Sequence, residues 1–422
     1  MSGMKRAVEI SKSVLIAALA ASALLLGMRT GLFNDFFRTI PFFGNVAELM
    51  IGGAGAAETG GAALKEAARP ILIVITNEDG GHYAVKYDTD ARNAVYDRTS
   101  SILSEALGSV SGLAEVAEDE WRAALSGPGI YFMYAAPVGL SVLDGWLGAQ
   151  MPENQGGASL RQICVAFGGD RSRIYFSGGG GQFYGADTAS SAGKAQELGI
   201  YSANGAMFAF ETDLASAAAP YMLITTERGH PDVYADSAGN QEELLGITLD
   251  ALEYGDQSSA ILPESDGAML CVGTQFNIRL DAQGRLLYHS RESLPPAEER
   301  QTPGESEMIE RARVIAAQTI GETCGAAEVF FESIEYNAGY CTVCFGYYIA
   351  GGRVYLRDDA RAAGVTFFSG VVTDVELNFR NFTFTGEDTV LMPERQAFAA
   401  AGGEFILCYA DSGAELMQPF WH

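Results

Sequence analysis

The sequence predicts an α+β protein: a single N-terminal transmembrane helix followed by an ectodomain of mixed helix and antiparallel sheet modules. Three observations lead there. An uncharged run from Ser13 to Met28 follows Lys5, Arg6 and Lys12. After it, short apolar runs rich in β-branched and aromatic residues recur between glycine-rich turns, in a chain with 50 glycines. Between those runs lie a few stretches whose apolar residues repeat at helical spacing.

The chain has 422 residues, 48% of them hydrophobic and 10% aromatic, enough to bury about two or three ordinary cores. Its formal charge of −26 sets nucleic acid aside as a partner, because a polyanion requires a basic footprint. On a folded domain the same charge gives solubility and implies no chemistry.

The uncharged run 13–28 covers roughly 24 Å at helical rise, slightly under the ~30 Å of a hydrocarbon core. Val8 and Ile10 extend its apolar face, and Lys12 can snorkel to the headgroups. A cleaved signal peptide and a buried soluble helix are the competing readings. Met28 and Arg29 stand where a small-x-small cleavage pair belongs, which favours the uncleaved anchor. Basic residues ahead of the run place the N-terminus in the cytoplasm and about 390 residues outside. Ser13, Ala17 and Ala21 fall at i, i+4 and i+8, and Ala18 and Ser22 widen that small-residue face. Such a face lets two helix backbones approach in lipid, so these five residues are the candidate partner-binding site; an ordinary alanine-rich anchor shows the same pattern.

The stub and anchor occupy 1–30, and an amphipathic segment with a Gly/Ala linker occupies 31–69. The first ectodomain region, 70–240, opens with strands at 71–76 and 83–87 around the turn 77–81. Helices are expected at 95–107, 118–125 and 140–147, with the strand "IYFMYA" before the last. "RQICVAFGGDRSRIYFSGGGGQFYGAD" reads as three strands. The second region, 241–303, holds two strands around a turn at 281–284 and ends in a linker with Pro295, Pro296 and Pro303. The third, 304–422, is a helix at 305–320 packed on an antiparallel meander: strands at 329–336, 340–350, 353–356, 364–368 and 371–384, a helix at 393–401 and a final strand "EFILCYA".

No catalytic constellation stands out. His82, His230, His289 and His422 have no metal spacing and read as core or solvated residues. Cys341 and Cys344 form a CxxC inside "GYCTVCFGYYI", a strand pattern that lacks the helix N-terminus of a redox motif. Ser191 and Lys194 match SxxK without partner motifs. The segment 281–292 lacks oxygen ligands at its third and fifth positions for calcium. Glu118, Asp119 and Glu120 read as a solvated helix start rather than a glycosidase pair. "SGGGG" is followed by Gln182 and has no Lys-Ser/Thr, so it reads as a hairpin turn, not a phosphate loop. No catalytic residue, cofactor or metal is expected.

The order of "RPILIVITNEDGGHYAVKYD", "SILSEALGSV" and "DEWRAALSGPGIYFMYAAPVGLSVLDGWLG" behind a basic N-terminus and single anchor resembles the YycH family, anchored accessory proteins of the cell-wall two-component system in low-GC Gram-positive bacteria. "FGYYIAGGRVYL" and the closing "LMQPFWH" are similar to the module shared with the sister family YycI. The resemblance implies a non-enzymatic regulator whose partners are a sensor histidine kinase and a YycI-like sister protein, reached partly through transmembrane helices. An exported cell-envelope hydrolase and a secreted ligand-binding module are the alternatives.

Overall fold

The computed structural model describes residues 64–422, apart from 153–158, 169–170, 179–180, 190–193, 195–197, 214–218, 256–257, 293–302 and 414–415. The expected anchor and its small-residue face lie outside the described residues, and Lys65–His422 forms one compact unit.

The unit begins with a sheet of seven antiparallel strands in the order β2-β1-β4-β5-β6-β7-β3. These are β1 Leu72–Thr76, β2 His82–Val85, β3 Ser111–Glu115, β4 Gly129–Gly139, β5 Ser159–Gly168, β6 Arg171–Ser177 and β7 Phe183–Thr188. Both faces of its central strands are buried, which explains why β1 is apolar at four of five positions instead of alternating. Leu72, Val74, Tyr131, Cys164 and Tyr175 face a cluster that includes Trp121 and Leu125 of helix α2, Glu118–Ser126. Ile73 and Ile75 point the other way, where helix α1, Thr89–Gly108, packs on β1.

Helix α1 buries Arg92, Val95, Tyr96, Thr99, Ser100, Ile102, Leu103, Ala106 and Leu107, a stripe at helical period. It starts well before the expected Val95 because the Asp88 carboxylate accepts the Ala91 N–H at 2.9 Å and caps it. Helix α3, Leu140–Leu147, has the expected bounds and stops at Gly148 in the left-handed conformation (φ 59°). The hairpin expected around "SGGGG" is present: β6 pairs with β7 from Ser172↔Thr188 to Ser177↔Phe183. Two of its four glycines, 179 and 180, lie outside the described residues.

The next elements are β8 Met207–Phe208, β9 Leu223–Ile224, β10 Gly229–Ser237 and helix α4, Gln241–Ala251. The second large sheet has eleven strands in the order β11-β12-β13-β14-β19-β18-β16-β17-β21-β23, with β15 on the other edge of β16. Its strands are β11 Ala260–Pro263, β12 Met269–Val272, β13 Phe276–Leu280, β14 Arg285–Ser290, β15 Glu328–Asn337, β16 Tyr340–Ile349, β17 Gly352–Leu356, β18 Ala363–Phe368, β19 Val371–Asn378, β21 Leu407–Asp411 and β23 Phe420–Trp421. Helix α5, Glu305–Ala316, packs on β16 and β18 and runs into a wider π-type turn at Ala317–Gly321. Helix α3 packs on both α1 and α5, and Trp146 Nε1 donates to Glu310 at 2.9 Å, so the helices of the two sheets meet.

Two expectations are corrected here. The meander is not wholly antiparallel, because β17 and β21 pair in parallel around helix α6, Glu394–Ala401. The apolar run 371–384 is two strands. It breaks at the buried Phe379, whose N–H donates to the carbonyl of Gly284, and β20 (Arg380–Val390) then leaves for a three-stranded sheet with β10 and β22, Leu416–Met417. Gly284 has φ +89°, and a Cβ there would lie 2.6 Å from the Phe379 carbonyl oxygen, so this corner requires glycine. Pairings β10–β20 and β14–β19 join strands of the regions 70–240, 241–303 and 304–422.

Arg92 is fully buried on α1 and donates to both carboxylate oxygens of Glu328 on β15, with the ring of Phe330 5.8 Å away. Glu328→Ala is expected to lower stability by about 3 kcal/mol in urea denaturation, since it leaves an uncompensated buried guanidinium. Arg92→Met combined with Glu328→Leu should recover most of that loss.

Candidate functional site

The described residues gather their unusual side chains in three places. The first is a buried charge cluster around Glu394, the first residue of α6. Its side chain is 0% exposed. Oε1 accepts from Lys86 Nζ at 2.8 Å and from the Tyr87 hydroxyl, and Oε2 accepts the backbone N–H of Thr225. Burial alone would raise the Glu394 pKa, but the Lys86 charge and these donors outweigh it and lower it. Burial, with the hydrogen-bonded Glu394 charge beside it, drives the Tyr87 pKa well above its ordinary value, so Tyr87 stays a donor.

His230 of β10 lies against this cluster. It is fully buried, neither ring nitrogen has a hydrogen-bond partner among the described residues, and its ring meets Tyr87 and Trp421 edge-to-face at 4.6 and 5.4 Å. Burial lowers its pKa to about 4; Glu394 and Asp388 oppose that shift and Lys86 assists it. The imidazole is therefore neutral at pH 7. The turn between β16 and β17 closes the cluster from the side. Gly351 there has φ +71°, and a Cβ would lie 2.3 Å from the Lys86 carbonyl oxygen.

The second place is a relay of Thr76, His82 and Glu211. His82 Nδ1 is 2.9 Å from the Thr76 hydroxyl, and Nε2 is 3.0 Å from Glu211 Oε2. These are the distances of a nucleophile, base and acid. The Thr76 hydroxyl also lies 3.2 Å from the Leu125 carbonyl, and Thr76 and His82 are buried. A reacting atom needs an open place about 3 Å from the nucleophile. None of the three residues lines either of the two cavities described here. The relay fastens β1, β2 and the short turn Ala209–Glu211 together.

The third place is a cleft of about 380 Å³ over one end of the seven-stranded sheet. Its floor is a single transverse row, Leu72, Met133, Gln162, Ser177 and Phe183, successive partners across β1, β4, β5, β6 and β7. Its roof comes from 219–223 and 404–407. Lys86 reaches the wall from one end, and Arg161 stands on the rim. A shallower groove of about 480 Å³ lies on the open face of the large sheet, where His289 and Asp374 pair at 2.7 Å beside Gly364.

The six cysteines are buried free thiols. Burial pushes Cys164 up to about 12 and Cys324 and Cys408 up to about 11, and raises Cys341 and Cys344 as well. Protonated thiols on opposite faces of β16 fit the strand reading of the CxxC. The small-residue face of Ser13, Ala17, Ala18, Ala21 and Ser22 lies outside the described residues. Sequence reasoning missed Glu394, Lys86, Arg161 and Gln162. The scarcity of cations was the available signal for Lys86 and Arg161; nothing local marks Glu394 or Gln162.

No family model matches this sequence, and no curated protein matches it. Among solved structures, the crystal structure of YycH from Bacillus subtilis is similar, with a TM-score of 0.55 and 14% sequence identity. The likeness covers 85% of this chain and 94% of that one. It is a likeness of fold: this chain has a YycH-like fold.

The His230 geometry sets a pH dependence. Its folded pKa lies below the ordinary value of about 6.5, so the unfolded chain binds the extra proton between pH 6.5 and 4. Stability is expected to fall across that window as pH falls, by up to about 1.4 kcal/mol per pH unit, and this component to level off below pH 4. His230→Phe should flatten that slope and leave stability at pH 7 equal or higher, since it removes two unpaired buried nitrogens. Glu394→Gln should cost about 3 kcal/mol at pH 7 by leaving Lys86 unneutralised. Urea melts at pH 4.5, 6 and 7.5 separate the two effects.

Proposed function

We propose that this chain is a non-enzymatic regulator, anchored in the cell membrane by its N-terminal helix with the C-terminal unit outside. In this reading it modulates a sensor histidine kinase of a cell-wall two-component system together with a YycI-like sister protein. The observation that carries the reading is the YycH-like fold, extending over 85% of the chain. The sequence adds the basic N-terminus, the uncharged run 13–28 and the family resemblance of the segments after it. In this reading the signal crosses by lateral contact of the membrane helix. The face of Ser13, Ala17, Ala18, Ala21 and Ser22 is the surface proposed for that contact, and the folded unit supplies a second one outside.

Replacing Ala17 and Ala21 by Leu separates this reading from its rivals. Co-purification of the full-length chain with the kinase is expected to fall roughly three- to tenfold, while the unit outside stays folded by circular dichroism. Unchanged association and unchanged kinase output would remove the helix route. Mass measurement of the mature N-terminus is expected to find residues 1–30 retained; their loss would convert the anchor to a signal peptide.

A further inference from the structure

The cleft over the seven-stranded sheet has more hydrogen-bond donors on its wall than the described residues use. The Gln162 amide, in the middle of the floor, has no side-chain partner among the described residues. Arg161 next to it spends Nε on the Tyr134 carbonyl at 3.3 Å and Nη1 on Glu404 at 3.4 Å. Its other N–H donors are unused among the described residues. The Arg161–Glu404 pair is long, and the Glu404 side chain is 51% exposed, so it contributes at most about 1 kcal/mol. An incoming carboxylate can displace Glu404 at little cost and gain a two-pronged contact with the guanidinium.

The rest of the cleft is apolar. Leu72 and Met133 continue the floor away from Gln162, and Leu223, Phe405 and Leu407 lie above. Lys86 stands at the far end, ~14 Å from the β5 position by three strand spacings, with its charge taken by Glu394. Glu118, beyond Phe183, is taken by Arg122 and by the Tyr221 hydroxyl. The free donors are therefore concentrated at Arg161 and Gln162, at one side of an apolar slot in the size range of a small-molecule site.

We propose that this cleft binds a small apolar carboxylic acid, with its head on Arg161 and Gln162 and its chain between Leu72, Met133, Phe405 and Leu407. The site goes beyond the regulatory reading and stands without it: it uses none of the N-terminal residues.

Photolabelling of the purified full-length chain with a diazirine-bearing decanoic acid tests the site, with the label located by peptide mass spectrometry. The label is expected on peptides containing Met133 and residues 404–407, competed by decanoate and not by decylammonium. Arg161→Gln should weaken labelling about tenfold through loss of the charge-assisted bonds. Met133→Trp should abolish it by filling the slot, and Arg122→Gln, the same charge change beyond Phe183, should leave it unchanged. Labelling elsewhere, equal competition by the amine, or equal loss in both arginine variants overturns the proposal. So does stronger competition by a leucine tripeptide with a free C-terminus, which would make the occupant a peptide end. None of these outcomes depends on kinase association, so failure here and failure of the regulatory reading are separate results.

Discussion

A carboxylate sealed from water must be neutralised by its neighbours, and Glu394 draws those neighbours from the whole length of the folded unit. Its partners are Lys86 and Tyr87 at the end of β2 and the backbone N–H of Thr225 after β9. The full set of bonds requires the end of β2, the 223–225 segment and helix α6 to be in place together. Separating them leaves an unpaired charge in a low dielectric, which is far costlier than losing a surface contact. Gly351 belongs to the same constraint, since only a residue without a side chain lets the β16–β17 turn reach Lys86. Arg92 with Glu328 repeats the device between helix α1 and strand β15.

The chain carries 27 basic and 53 acidic residues, and it places Arg92 wholly inside and Lys86 nearly so. Buried pairs of this kind add little net stability compared with apolar packing. What they add is discrimination. An apolar residue accepts any apolar neighbour, whereas Glu394 tolerates only an arrangement that delivers three donors. The two sheets are each held internally by ordinary ladders and cores; the charged pairs decide how helix α1 and strand β2 meet strand β15 and helix α6.

That division explains what was legible in the sequence. Features with a local cause were readable: the 140–147 helix from its apolar stripe and following Gly148, the β6–β7 hairpin from matched flanks, the 340–349 strand from its β-branched and aromatic run. Features caused by distant partners were not. Nothing near Phe379 announces that the chain changes sheets there, because the cause is Gly284, almost a hundred residues earlier. The parallel pairing of β17 with β21 follows from where α6 docks, and α6 docks where Lys86 is. The donors of the cleft were equally hidden, because Arg161 and Gln162 sit in "LRQICVAFG" as an ordinary strand start. Their role appears only when Met133 and Ser177 fall beside Gln162 in one row.

The position of the cleft follows from the same assembly. One face of the seven-stranded sheet needs a cover longer than α2 provides. The chain supplies the remainder from two sources, 219–223 and 404–407, which approach from different parts of the sequence. A seam between two covers packs less closely than a single element can, and the row from Leu72 to Phe183 lies beneath that seam. The 404–407 segment leads directly from α6, which carries Glu394, into β21, which pairs with β17. Whatever occupies the seam therefore presses on a segment whose position is fixed at one end by a buried ion pair and at the other by a parallel ladder. The cleft and the charge cluster around Glu394 share Lys86, which lines the one and neutralises the other, so the seam lies next to contacts that join β2 to helix α6.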